Sequence, residues 1–224
     1  MNHNTTARAM AAARARGMDM TKVRPHTLIL AAQLLANESN YSFDLRQSAQ
    51  ENILPGVVRG LLDRDGFIAS SMAIGLMTVP VIGGKEYPTA GVVTFFPDPN
   101  VFDEPAAGAP NVLSEAQALE SIYFGDHTLK TNEGIRLDRN PNFLFRHVQE
   151  TQGSANTTNM LTGAEFKDIG ADVRFAGGDE NEVRIGTKCD DKTLIGGPAD
   201  RNNYVLVFLL GAIAKGATTK QYLG

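Results

Sequence analysis

The closest approach to a metal loop is Asp63-Arg64-Asp65-Gly66-Phe67-Ile68, which imitates the middle of a calcium loop of the EF-hand type. With Gly66 placed sixth, the first ligand position falls on Leu61 and the twelfth, normally a bidentate Glu, on Met72. Neither can hold calcium, so the stretch reads as a tight turn between strands. Gly83-Gly84-Lys85 lacks the G-x-x-x-x-G-K-[ST] spacing of a phosphate loop, and Lys85 is followed by Glu86. It reads as a hairpin turn, as do Gly177-Gly178-Asp179 and Gly196-Gly197-Pro198, neither of which belongs to a G-x-G-x-x-G pattern.

Nucleophilic and metal chemistry find no better footing. The single cysteine, Cys189, precedes Asp190 and Asp191, whose charge disfavours the thiolate that a nucleophile or metal ligand must be. Ser154 and the Ser70-Ser71 pair lie outside any G-x-S-x-G elbow. His3, His26, His127 and His147 do not fall at H-E-x-x-H or comparable spacing; a zinc site would require His127 and His147 to converge with Asp126 or Glu150 on adjacent strands. Glu180 with Glu182, and Asp190 with Asp191, sit among Gly, Asn and Lys and read as solvated loop charge. No catalytic residue, metal site or cofactor is expected, and the chain reads as a non-enzyme.

One chemical feature departs from the background. The first 24 residues hold Arg8, Arg14, Arg16, Lys22 and Arg24 against Asp19 alone, +4 within a chain of net charge -4. These cations are the candidate contacts to an assembly neighbour or to nucleic acid, where simple charge neutralisation gives weak, salt-sensitive and sequence-independent binding.

The elements that carry these residues are mostly strands. Thr5 to Arg16 is a helix former ended by Gly17, with almost no large apolar side chains to dock it, and is expected to be mobile in isolation. His26 to Asn37, with Leu28, Leu30, Leu34 and Leu35 behind Pro25, reads as a second helix. From Tyr41 onward short apolar runs alternate with turn chemistry: Val57 to Leu62, Phe67 to Val81 in two or more pieces, and Val92 to Phe96. Pro97, Pro99, Pro105, Gly108 and Pro110 mark a long connection. There the Ser114/Gln117 capping-box spacing predicts a short helix from Glu115 to Phe124, stopped by Gly125. Strands follow at Thr128 to Thr131, Ile135 to Asp138, Phe143 to Val148, Asp172 to Ala176, Glu182 to Gly186 and Tyr204 to Ala214.

Together these predict a mainly β protein, an antiparallel, jelly-roll-like β-sandwich of roughly eight to ten strands with an N-terminal helical arm and one short inserted helix. The expected division is a basic arm and helix over residues 1–38 and a sandwich domain over 39–224. One cysteine excludes an intramolecular disulfide, and arginines interrupt the alanines where a secretory leader would need an apolar core. Tyr204 to Ala214 is about half of the roughly 20 residues a membrane-crossing helix needs, so no transmembrane segment is expected.

A basic arm, a short apolar helix and a turn-rich sandwich resemble the organisation of viral and phage coat proteins with a jelly-roll core. The resemblance is architectural and covers the chain loosely. It implies a virion subunit made in the host cytoplasm, which binds copies of itself, meets other virion proteins and touches nucleic acid weakly through its arm. The alternative is a sandwich module recognising carbohydrate or another protein, against which stand the absence of Trp and the presence of only five Tyr for sugar stacking.

Overall fold

The computed structural model describes residues 3–35, 38–94, 112–113, 121–131, 134–142, 166–187, 193–194 and 201–216. A first helix, α1 (His3–Ala15), precedes β1 (Val23–Gln33), β2 (Asn40–Asp44), a single turn of helix α2 (Gln47–Gln50) and the long β3 (Gly66–Ile82). After them come β4 (Lys85–Glu86), β5 (Val92–Thr94), β6 (Val112–Leu113), β7 (Asp126–Thr131) and β8 (Gly134–Pro141). β9 (Lys167–Ala176), β10 (Glu182–Gly186), β11 (Thr193–Leu194) and β12 (Arg201–Ala214) complete the order.

Two antiparallel sheets result. In the first, β12 lies between β1 and β3; β9 pairs with the first half of β3, and β5 and β4 with its second half. The second runs β2-β10-β7-β8. The long strands alternate between sheets: β1 in the first, β2 in the second, β3 in the first, β7 and β8 in the second, then β9, β10 and β12 by turns. Such a double Greek key is a jelly roll. Residues from both inner faces close one core, among them Leu28 and Leu30 of β1, Phe43 of β2, Phe67 and Ile74 of β3, Leu129 of β7, Phe175 of β9, Val183 of β10 and Leu209 of β12.

The outer face of the first sheet is also covered, in two parts. Ala9 and Ala13 of α1 pack with Met18 and Val23 over Ile68 of β3 and Ala212 and Ala214 of β12. Farther along, Leu54 and Val58 cover Ala31, Met77, Val79, Tyr204 and Leu206. The 46–61 segment also closes the free edge of β1. Ile29 and Arg59 exchange backbone hydrogen bonds of 3.0 and 2.8 Å, and the Ala31 N–H donates to Gln50 Oε1 at 2.8 Å. Gln50 in turn donates through Nε2 to the Asp44 carbonyl at 2.8 Å, so both ends of this buried amide are satisfied. A strand edge open to pairing with another chain is thereby capped from within.

Four expectations are corrected. The helix expected over His26 to Asn37 is strand β1 up to Gln33, paired residue for residue with β12. Pro25, which has no N–H to give a ladder, is tolerated because β1 is an edge strand. Val57 to Leu62 is a turn-rich cover rather than a strand, touching the sheets only by the bridges Ile29–Arg59 and Arg46–Leu61. Phe67 to Val81 is one continuous strand, bulged at Ser70 rather than broken. The arm is also docked on its own sandwich. Alanines suffice because their small side chains let α1 lie close against the equally small Ala212 and Ala214. The inserted helix is described only over residues 121–123, its last turn, where the Gly125 N–H donates to Ile122 O; its start, and the strand expected at Phe143 to Val148, lie outside the described residues.

Candidate functional site

The five arm cations do not converge. Arg8 is committed inside the molecule: Nε donates to Asp172 Oδ1 at 2.9 Å, Nη2 to the Ser70 carbonyl at 2.9 Å, and Nη1 to Asp168. The carbonyl is available because Ser70 is the residue skipped when β3 shifts register against both β9 and β12. The bulge opens a backbone acceptor, and the helix fills it with a guanidinium flanked by two carboxylates. Arg14 is exposed in the last turn of α1, and Arg16 is half-buried just past it. Lys22 stands 3.9 Å from Asp19, whose carboxyl the Thr21 hydroxyl and N–H hold below its usual range.

Arg24 has different company. It shares a face of β1 with His26, two residues on, continuing toward the sandwich rim the row begun by the core residues Leu28 and Leu30. Burial first, then the charges of Arg59, Lys215 and Arg24, push the His26 imidazole below its usual range, against the opposing pull of Asp65. Arg24, Arg59 and Lys215 are exposed, and their side chains make no hydrogen bond or ion pair with other described residues. Lys215 arrives from the end of β12, where its N–H donates to the Lys22 carbonyl at 3.2 Å. Three chain segments far apart in sequence thus bring cations round one imidazole.

Three of the motifs tested on the sequence lie within the framework of the fold. The Asp63-Arg64-Asp65-Gly66 turn serves the fold: Asp65 is buried, its Oδ1 accepts the Gly216 N–H at 2.9 Å, and its carbonyl accepts the Gly177 N–H at 2.8 Å. It ties the start of β3 to the ends of β9 and β12. Gly83 and Gly84, at φ +60° and +78°, make the β3–β4 hairpin turn in a conformation that other residues rarely adopt. Ser70 and Ser71 are buried within β3. His147, Glu150, Ser154, Cys189, Asp190, Asp191 and Gly196-Gly197-Pro198 lie outside the described residues. Among the described residues no group of three His, Cys, Asp or Glu could hold a metal ion.

His127 is buried at one end of the second sheet, its Nδ1 3.0 Å from Asn142 Oδ1. Asn142 Nδ2 donates to the Ile122 carbonyl at 2.9 Å and to that of Asp126 at 3.1 Å. Its Oδ1 is therefore the acceptor, and the hydrogen bond assigns the proton to His127 Nδ1. Burial pushes the imidazole below its ordinary value, outweighing Asn142, Asp126 and the Asn140 backbone, which favour the proton. This pair locks the 121–126 corner to the ends of β8 and β10.

Among the described residues the outer face of the second sheet carries no covering element. Asn40, Asp126, Thr128, Lys130, Ile135, Asp138, Arg139, Glu182 and Arg184 line a shallow concavity of about 480 Å³ there. Some of its side chains are held within the sheet: Arg184 Nη2 donates to Asn40 Oδ1 at 2.7 Å, Arg139 Nε to Asp126 Oδ2 at 3.4 Å, and the Ser42 hydroxyl to Glu182 Oε1 at 2.5 Å. On the first sheet, Ile82, Tyr87, Val92 and Val93 are exposed around the far end of β3 and β5.

The fold and these surfaces define the chain as a jelly-roll β-sandwich protein with its N-terminal helix packed on one sheet. No family model, curated protein or solved structure matches it. No helix among the described residues is long and apolar enough to cross a membrane.

Proposed function

We propose that the chain is a structural subunit of a phage or viral particle, made in the host cytoplasm and assembling with copies of itself, without catalysis of its own. The observation that carries this reading is the double Greek-key strand order with a filled interior. Jelly rolls recur in viral capsid and lectin domains and in cupins, and fold alone does not choose among them. A cupin-type site occupies the space between the sheets, which here is packed with Phe43, Phe67, Leu129, Phe175 and Ile185. A sugar platform needs exposed rings grouped together; among the described residues Tyr41, Phe43, Phe67, Tyr123 and Phe175 are buried, and the exposed Tyr87 and Phe124 lie far apart in the chain.

Light scattering after gel filtration, with electron microscopy of the same peak, tests the proposal. Shells, rings, tubes or symmetric capsomer-like oligomers are expected. A clean monomer at high concentration overturns the reading in favour of a recognition module. The polar concavity on the second sheet favours that alternative, and glycan-array binding lost in Arg184→Ala would establish it.

A further inference from the structure

We propose that Arg24, Arg59 and Lys215, gathered round His26 at the rim of the first sheet, form a contact surface for the phosphodiester backbone of nucleic acid. The three cations are exposed and make no hydrogen bond or ion pair with other described residues. The carboxylate acting on His26 beside them, Asp65, is buried and engaged with the Gly216 N–H. Uncompensated positive charge at a surface is an electrostatic footprint for a polyanion.

The spread of the cluster favours a chain of phosphates over a single small anion. The cations come from three segments joined at the β1 edge and not round a cavity: Arg24 pairs with Ile213 at the start of β1, Lys215 follows at the end of β12 with its N–H on the Lys22 carbonyl, and Arg59 bridges Ile29 from the cover segment. Each can neutralise a separate phosphate and release its counterion. A membrane contact would need an apolar anchor beside the charges, and near this cluster the only large exposed apolar side chain among the described residues is Leu62. Ile82, Tyr87, Val92 and Val93 lie at the opposite end of β3. The proposal stands apart from the assembly reading, because oligonucleotide binding and particle formation are read by different measurements.

The experiment is fluorescence anisotropy of a labelled single-stranded oligonucleotide of about 20 nucleotides titrated with the full chain over a range of salt. Wild type is expected to bind at low salt, with log K falling against log salt at a slope to which three contacts contribute about -2. The triple variant Arg24→Ala, Arg59→Ala, Lys215→Ala should bind at least about tenfold more weakly and lose that part of the slope. Lys85→Ala, an exposed cation on β4 at the opposite end of β3, should leave binding unchanged. The side chains removed are exposed, and circular dichroism of the triple variant verifies that it folds.

Proton NMR of His26 adds a second readout. Bound phosphate supplies the negative charge the site lacks, so the imidazole midpoint should rise with oligonucleotide. Arg24, Arg59 and Lys215 oppose that protonation in the free protein, while Asp65 assists it. Absence of binding at low salt, triple-variant binding equal to wild type, or equal binding to phosphatidylserine vesicles or poly-glutamate would each overturn the proposal.

Discussion

Among the described residues the first sheet is covered on both faces and the second on one. In β3 every residue from Gly66 to Met77 is buried, and in β12 every residue from Asn203 to Ala214 except Phe208. β10 alternates instead: Val183 and Ile185 face the core, while Glu182 and Arg184 belong to the open face. Strands of identical pleat thus carry different patterns because they have different numbers of dry faces. The covered sheet is sealed by α1 and the 46–61 segment, and its exposed chemistry is pushed to its ends: the cations at one rim, the apolar side chains at the other. The open sheet carries its polar groups on its face, where Arg184, Arg139 and Glu182 have partners on neighbouring strands.

The same substitution in each sheet gives the sharpest test of this contrast. Ile68→Asp places a carboxylate under α1 at a fully buried position and should cost about 4 kcal/mol or more. Ile135→Asp, on the open face, should change stability by no more than about 0.5 kcal/mol. Urea unfolding followed by circular dichroism measures both, and comparable losses would break the distinction between the sheets.

A smaller effect tests the cover itself. Arg8→Ala removes the link from α1 to Asp168, Asp172 and the bulge carbonyl, and the partial exposure of these groups holds the expected loss to about 1 kcal/mol. Hydrogen exchange should quicken in the amides of α1 and leave β10 and β7 unchanged. An unchanged α1 would mean that the alanine contact alone holds the helix.

The smallest effect depends on pH and belongs to the second sheet. His127 binds its proton less readily folded than unfolded. The unfolded chain therefore gains protons first as pH falls through about 6.5, and stability declines from there until the folded imidazole also titrates. His26 acts in the same direction. The lowered carboxyls of Asp19 and Asp44 act separately, their stabilisation being lost only in the more acid range of carboxylates. Melting temperatures between pH 7.5 and 5 should fall, and His127→Gln should flatten the curve more than His26→Gln.

What the sequence determined by itself was whatever neighbouring residues decide. Glu182 to Gly186 is a strand within its expected bounds, the Gly83-Gly84 turn is a turn, and the double-sheet class follows from repeated short apolar runs between turn residues. The tertiary structure decided the rest through partners distant in the chain. Leu28, Leu30, Leu34 and Leu35 fit a helical or a strand period, and only the 11-residue pairing of β1 with β12 selects the strand. The alanines of α1 show no docking face until Ala212 and Ala214 supply a surface equally shallow. Arg59 and Lys215 carry no local signal at all, because the jelly-roll crossovers alone bring them round His26. Pairing between residues far apart in sequence depends on register and burial across the whole molecule, which no local pattern encodes.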